Sequence, residues 1–334
     1  MYLQHFGLEK APFSLTPDPR FLFLTSKHRE ALAALLFAVT ERKGFMVMTG
    51  DAGTGKTTLV RKLLLSIPLT CAQFSVIVNP ALTRSELLES VLMDFGEPDV
   101  PASKAVRLSL FKKLLVRAHE QGKTSVLVID EAHLLTGELI DEVRLLSNFE
   151  TSEHKLLQII LAGQNELDAV LALESLRQVR QRVAIRVHID PLAESDVKRY
   201  LQTRWTRACS QQVLPFSESA IQLVARSSGG IPRIINVVCD AALVNAYGTG
   251  TAMIGVTQIE EVLQDFGMGA GNQPSPPSPA PAPGLSRATV DPPAQIVDRS
   301  ASQASLDRYI PVKRKSPKIW KITNWFGITG NEAK

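Results

Sequence analysis

The sequence predicts an α/β domain built on a parallel sheet, then a small all-helical domain, then a disordered proline-rich tail. Three observations carry this prediction. Short uninterrupted apolar runs alternate with segments whose apolar residues recur every three or four positions, the pattern of strands covered on both faces by helices. From Glu194 to Phe266 the periodicity is helical only. Near Gly267 the composition turns abruptly to glycine, proline and serine.

Taken in order, Gly44–Thr49 reads as a short buried strand and Leu59–Leu65 as part of a helix. Phe74–Val78 is a second strand. Ser85–Phe95 and Ala105–Gln121 have helical spacing. Ser125–Ile129 and Leu156–Ala162 are continuous apolar strands, and Val183–Ile189 is a fifth. The helical domain follows the α/β domain directly. The tail opens on Pro274-Ser-Pro-Pro-Ser-Pro-Ala-Pro-Ala-Pro283, and ten of the twenty prolines lie in residues 271–334. Such a stretch cannot bury a core and reads as an extended linker. The end differs again: Lys313–Phe326 mixes basic residues with Ile319, Trp320, Ile322, Trp325 and Phe326. The expected boundaries are 1–192 for an opening segment plus the α/β domain, 193–267 for the helical domain, 268–311 for the linker and 312–334 for the basic-aromatic segment.

The chain of 334 residues is 45% hydrophobic and 21% charged, so it can build one large or two small ordinary cores. No apolar run approaches the roughly 18 residues needed to cross a bilayer. The opening Met1-Tyr-Leu-Gln-His5 lacks a basic and an apolar region, so no signal peptide is expected. Cys71, Cys209 and Cys239 are far apart, which argues against a zinc site or a disulfide framework. They read as core thiols in a reducing cytoplasm. The net charge of +4 is unevenly spread. Residues 271–334 carry nine Lys/Arg and four Asp/Glu, whereas residues 1–270 carry 28 basic and 29 acidic residues. The basic character therefore belongs to the tail and gives no argument for a nucleic-acid surface on the folded part.

Gly50-Asp-Ala-Gly-Thr-Gly-Lys-Thr57 matches the phosphate-binding pattern G-x-x-x-x-G-K-[ST] directly after a strand and at the start of a helix. Its residues, Gly50, Asp51, Ala52, Gly53, Thr54, Gly55, Lys56, Thr57 and the adjoining Thr58, are the candidate ATP contacts. Glycines let the backbone wrap phosphates with its N–H groups turned inward. Lys56 is expected at the β- and γ-phosphates and the Thr57 hydroxyl on Mg²⁺. The strand Val126–Ile129 ends in Asp130-Glu131-Ala-His133. Asp130 is the second expected Mg²⁺ residue, and Glu131 the general base or water-orienting group. His133 is expected to pack or make a hydrogen bond. The Asp-Glu-Ala-His string also occurs in helicases, which need two tandem motor domains, and this chain is too short for two.

Taken together these residues resemble the ExeA/GspA branch of AAA+ ATPases, associated with bacterial secretion. The resemblance starts at Met1-Tyr, His5-Phe-Gly-Leu8, Pro12-Phe13, Leu15–Phe21 and His28–Leu32. It runs through the P-loop, Asp130–His133, Leu161–Gln164, Gln181-Arg182 and Gly230–Arg233, covering roughly residues 1–267. It implies an AAA+ fold with a helical lid, ATP and Mg²⁺ as cofactors, and nucleotide-dependent self-association. It also implies further site residues. Gln164, with Asn165 as alternate, is expected to touch the γ-phosphate or the lytic water. Arg182, with Arg180 and Arg177 as alternates, is expected to act on a neighbouring copy's γ-phosphate. Arg233, opening a lid helix after Gly229-Gly-Ile-Pro, is expected to bend over the phosphates. Pro17, Asp18 and His28 are expected near the adenine.

Members of this branch typically carry a transmembrane helix and a periplasmic peptidoglycan-binding module, neither of which is expected from this sequence. The chain is more similar to the shorter members found with pilus, exopolysaccharide or exosortase systems. The resemblance implies cytoplasmic ATP hydrolysis that drives or regulates assembly of an export complex. The resemblance also reaches transposition ATPases of the MuB/TnsC kind, so an ATP-dependent DNA-binding regulator is the alternative. For the tail, residues 308–321 hold six Lys/Arg and no acid, which suits docking to an acidic partner or peripheral contact with the inner membrane face.

Overall fold

The computed structural model describes residues 2–16, 18–209 and 213–268, all in one compact unit. A second unit, residues 270–316, lies outside the described residues. So do the linker beyond Met268, the basic-aromatic segment and Pro17.

The chain opens with a short helix, α1 (Tyr2–His5), and a 3₁₀ turn at Pro19–Phe21, then enters α2 (Ser26–Thr40). The α/β part comprises β1 (Phe45–Gly50), α3 (Lys56–Ser66), β2 (Ala72–Ile77), α4 (Arg84–Asp94), α5 (Lys104–Glu120) and β3 (Thr124–Ile129). It continues through α6 (Gly137–Leu146), β4 (Leu157–Ala162), α7 (Glu166–Ala172), α8 (Arg177–Arg180) and β5 (Val183–Ile189). The helical part is α9 (Glu194–Ala208), α10 (Glu218–Ser228), α11 (Pro232–Thr249) and α12 (Val256–Asp265). The strands form one parallel sheet in the order β2-β3-β4-β1-β5.

Alternation along the strands makes two cores. Phe45 and Val47 of β1, Leu127 and Ile129 of β3, and Ile159 and Leu161 of β4 face α4, α5 and α6. Met46 and Met48, Val126 and Val128, and Ile160 and Ala162 face α2 and α3. β1, β3 and β4 are covered on both faces, so their sequences show no polar alternation. β5 lies at the edge beside β1 and alternates between half-buried and exposed residues. Helix starts are fixed by side chains. Thr83 and Glu86 form a reciprocal capping box on α4, and Thr25, Thr136 and Ser217 accept backbone N–H groups on α2, α6 and α10.

Several expectations are corrected. β2 begins at Ala72, because its ladder with β3 reaches back to Thr124, and it stops before Val78. Helices α2 and α6 were not legible from periodicity, although both carry a threonine N-cap. Cys209 and Cys239 are buried, but Cys71 is exposed, since it sits in the loop that enters β2. The opening segment is the largest difference. Grouped by sequence with the α/β domain, it sends Phe6, Leu8, Phe13 and Phe21 into the core of the helical part, beside Trp205, Phe216 and Val238. Phe6 meets Trp205 and Phe13 meets Phe216 edge-to-face, with ring centroids 6.2 and 6.1 Å apart. Four apolar side chains of a short loop find their burial where the helices leave a gap, regardless of chain order.

This arrangement predicts the cost of losing one such side chain. Phe13 is fully buried. Phe13→Ala should cost about 3–5 kcal/mol of stability, as for other buried aromatics. Thermal and urea melts check this, and a loss below about 1 kcal/mol would mean the segment is a loose appendage.

Candidate nucleotide site

The site lies at the carboxyl ends of the strands, where the chain leaves β1 for one side of the sheet and β4 for the other. Open parallel sheets bind ligands at this kind of switch point. β1 ends at Gly50, and α3 begins at Lys56 with Gly55 as a left-handed cap. The loop between them presents the amino end of α3, whose dipole and free N–H groups favour an anion. Inside the loop, the Thr54 hydroxyl donates to Asp51 O at 2.9 Å. The Lys56 ammonium donates to Gly50 O at 2.9 Å and Asp51 O at 2.8 Å. Lys56 is buried, and burial holds its pKa below the ordinary lysine range, while the carboxylates of Glu131, Asp130 and Asp51 pull in the opposite direction.

Asp130 follows β3 and is also buried. Its Oδ2 accepts the Thr57 hydroxyl at 2.7 Å and its Oδ1 accepts the Glu131 N–H at 3.0 Å. Burial raises its pKa, with the Thr57 and Glu131 hydrogen bonds opposing. Thr57 and Asp130 thus meet in space, 73 residues apart in sequence. Glu131 holds a left-handed backbone, φ 51°, which is uncommon for a residue with a side chain. Glu131 lines the same cavity as Lys56 and Thr57.

The cavity, about 400 Å³, is of a size that holds a small ligand. Its wall joins P-loop residues 52–58 to Glu131, Gln164 and Arg233. Gln164 follows β4, between β1 and β3 in the sheet, so its position between Lys56 and Glu131 is set by strand order. The alternate, Asn165, instead donates to Asp51 Oδ1 at 2.6 Å and does not line the cavity. Arg233 stands in the first turn of α11, where its N–H donates to Gly53 O at 3.3 Å. Gly53 has φ 81°, and a Cβ there would fall 2.6 Å from the Cβ of Arg233. The loop therefore lets the lid helix rest directly on its backbone. Loop, buried lysine, paired Thr57 and Asp130, and cavity volume all fit a nucleoside triphosphate with a divalent cation.

An AAA domain family matches residues 39–171. General secretion pathway protein A of Aeromonas hydrophila is 42% identical over 257 residues, which is 76% of this chain and 46% of that protein. The ATP-dependent target DNA activator B of Escherichia phage Mu is 24% identical over 70% of either chain. Among solved structures, the Aeropyrum pernix ORC2 protein in ADPNP-ADP complexes superposes with a TM-score of 0.61 at 14% identity, covering 77% of this chain and 72% of that one. This chain carries an AAA domain with the AAA+ P-loop fold and is similar to general secretion pathway protein A. It spans about half the length of that relative.

The trans-acting candidates of this AAA+ chain lie away from the cavity. The Arg182 guanidinium donates to Ser147 Oγ at 2.9 Å and to Asn148 Oδ1. Arg180 donates to Ala172 O, and Arg177 pairs with Glu174. Asp18 and His28 line the cavity. His28 is buried, which lowers its pKa, while a hydrogen bond to the Thr54 backbone opposes the shift.

Sequence reasoning missed the far wall. Arg204 of α9 is buried beside the rings of Phe21 and Tyr200, 5.2 and 5.5 Å from their centroids. It donates to Pro12 O at 2.6 Å and Ser14 O at 3.3 Å. The Tyr200 hydroxyl donates to Asn236 Oδ1 at 2.7 Å. All three residues line the cavity. The only sequence signal was the placement of Tyr200 and Arg204 four apart, on the apolar side of α9.

Gly53→Ala should lower ATP affinity by about tenfold or more, because a left-handed alanine costs roughly 1–2 kcal/mol before the contact with Arg233 is counted. The melt should stay cooperative. Equilibrium nucleotide titration reads this, and wild-type affinity would mean that α11 does not rest on the loop in solution.

Proposed function

We propose that this AAA+ protein binds ATP-Mg²⁺ and hydrolyses it. The observation that carries the proposal is the convergence of Lys56, Thr57, Glu131, Gln164 and Arg233 on one cavity, from four separated stretches of chain. The cation would supply Lewis-acid charge at the phosphates. The loop N–H groups and Lys56 hold the phosphates, while the Thr57 hydroxyl and the Asp130 carboxylate hold the cation. Glu131 takes the proton of the attacking water, Gln164 orients that water or the γ-phosphate, and Arg233 reports the phosphates to the lid. Arg182, which does not line the cavity, reaches the γ-phosphate of a neighbouring copy.

At the level of the cell, the cycle of binding and hydrolysis drives or regulates assembly of a bacterial secretion, pilus or exopolysaccharide export system. Support comes from the identity to general secretion pathway protein A. The protein works in the cytoplasm as a nucleotide-dependent homo-oligomer, and its tail touches the inner face of the membrane. Among the described residues no helix is long and apolar enough to cross a membrane. A second reading, ATP-dependent binding to DNA, is favoured by the similarity to the phage Mu activator over 70% of both chains.

Two experiments test the chemistry. Lys56→Ala should weaken ATP-Mg²⁺ binding, and Glu131→Gln should keep binding while lowering turnover by about 10²–10⁴-fold, the span of a general base. Binding equal to wild type in the first, or turnover within about twofold of wild type in the second, overturns that residue's role. Arg182→Ala should keep ATP affinity yet hydrolyse slowly, and mixing it with Lys56→Ala should restore activity, since an intact pocket then meets an intact arginine. A mixture no more active than its two components shows that Arg182 does not act across an interface.

A further inference from the structure

Between Glu131 and Gln164 stands a side chain to which the chemistry above gives no part. His133 is the middle residue of the 3₁₀ turn Ala132–Leu134 that follows Glu131, and only 12% of its side chain is exposed. Its ring makes three polar contacts. The Gln164 backbone N–H donates to Nδ1 at 3.3 Å. The Gln164 side-chain amide nitrogen lies 3.1 Å from the ring Nε2. Glu131 Oε2 lies 3.5 Å from Nδ1. The ends of β3 and β4 can come this close because residue 163 is glycine, where a Cβ would fall 3.0 Å from the His133 backbone N.

A neutral imidazole donates from one nitrogen and accepts at the other, so these contacts cannot all be satisfied together. With the proton on Nε2, Nδ1 accepts the Gln164 backbone N–H, and Nε2 donates to the Gln164 amide oxygen. The amide NH₂ group then points away from the ring. Glu131 receives no hydrogen bond from the ring. With the proton on Nδ1, the ring donates to Glu131, and Nε2 accepts from the Gln164 NH₂ group. The amide then turns its oxygen away from the ring, and the carboxylate is held. The first arrangement offers a donor to phosphate and a free base at once. The second withdraws both together. Oxygen and nitrogen of the amide are interchangeable in shape, so the exchange needs only a turn of one side-chain bond.

We propose that His133 is a positioning residue that couples these two groups: its ring orients the Gln164 amide and releases the Glu131 carboxylate together. The inference rests on the roles given to Glu131 and Gln164 above. It makes a coupling rather than a new contact with nucleotide. Loss of the ring should act through Gln164, and both losses together should be no worse than the larger one alone. Groups that act as a unit behave in this way, whereas independent groups multiply.

The test compares full-length wild type, His133→Ala, Gln164→Ala and the double variant by steady-state ATPase kinetics and nucleotide binding. His133→Ala should lower kcat about 10–100-fold, as removal of an orienting partner does around metal ligands. KM and ATP-Mg²⁺ affinity should stay within about threefold, since His133 does not line the cavity. The double variant should fall within about twofold of the slower single variant. Multiplied losses, or wild-type kcat in His133→Ala beside a slow Gln164→Ala, overturn the coupling and leave the Gln164 role intact. Wild-type kcat in Gln164→Ala removes that role and the coupling with it. Should His133→Ala not fold, ¹⁵N-histidine spectra of the wild type with a non-hydrolysable ATP analogue decide the matter. The proton on Nε2 supports the coupling, and the proton on Nδ1 overturns it.

Discussion

Two close backbone approaches make one site from two separate cores. At the first, Leu192 and Gly230 meet edge to edge: the Leu192 N–H donates to Gly230 O at 2.8 Å, and a Cβ on Gly230 would fall 2.0 Å from Leu192 O. At the second, the Arg233 N–H reaches Gly53 O. Gly230 has φ 74° and Gly53 φ 81°, so both positions favour glycine for conformation as well as for space. Without these contacts the phosphate loop would be an open turn at the carboxyl end of β1. With them, the amino end of α11 lies on that loop and closes the cavity from above.

The lid that closes the cavity also carries its far wall. Phe6, Leu8, Phe13 and Phe21 share one core with α9 to α12, and Arg204 ties the carbonyls of Pro12 and Ser14 to α9. The opening segment is therefore built into the lid by burial and by a charged hydrogen bond. Phe21, Tyr200 and Arg233 therefore reach the cavity from the side of the helical part, while Lys56, Thr57 and Glu131 reach it from the ends of the strands.

The site holds buried ionisable side chains. Lys56 and Asp130 are both buried, and burial pushes each toward its neutral form. Hydrogen bonds from Thr57 and from the Glu131 backbone hold Asp130 in place, and loop carbonyls hold Lys56. Buried charges of this kind are costly for the fold and are retained where chemistry uses them.

By itself the sequence determined the strand-loop-helix of residues 44–65, the strands that end at Asp130 and Gly163, and the helical part after Glu194. These features depend on neighbours a few residues apart: apolar periodicity, glycines that permit left-handed turns, and a lysine at fixed spacing. Local rules of that kind are readable without coordinates. Tertiary structure alone decided the rest. It chose Gln164 over Asn165 for the cavity, because strand order places β4 between β1 and β3 and the turn after it sends Asn165 to Asp51. It placed the opening segment in the lid, and it put Arg204 between Phe21 and Tyr200. It also brought His133 against Gln164, 31 residues on. Each of these is a contact between residues distant in the chain, and such contacts follow from how the cores pack and not from any pattern within a segment.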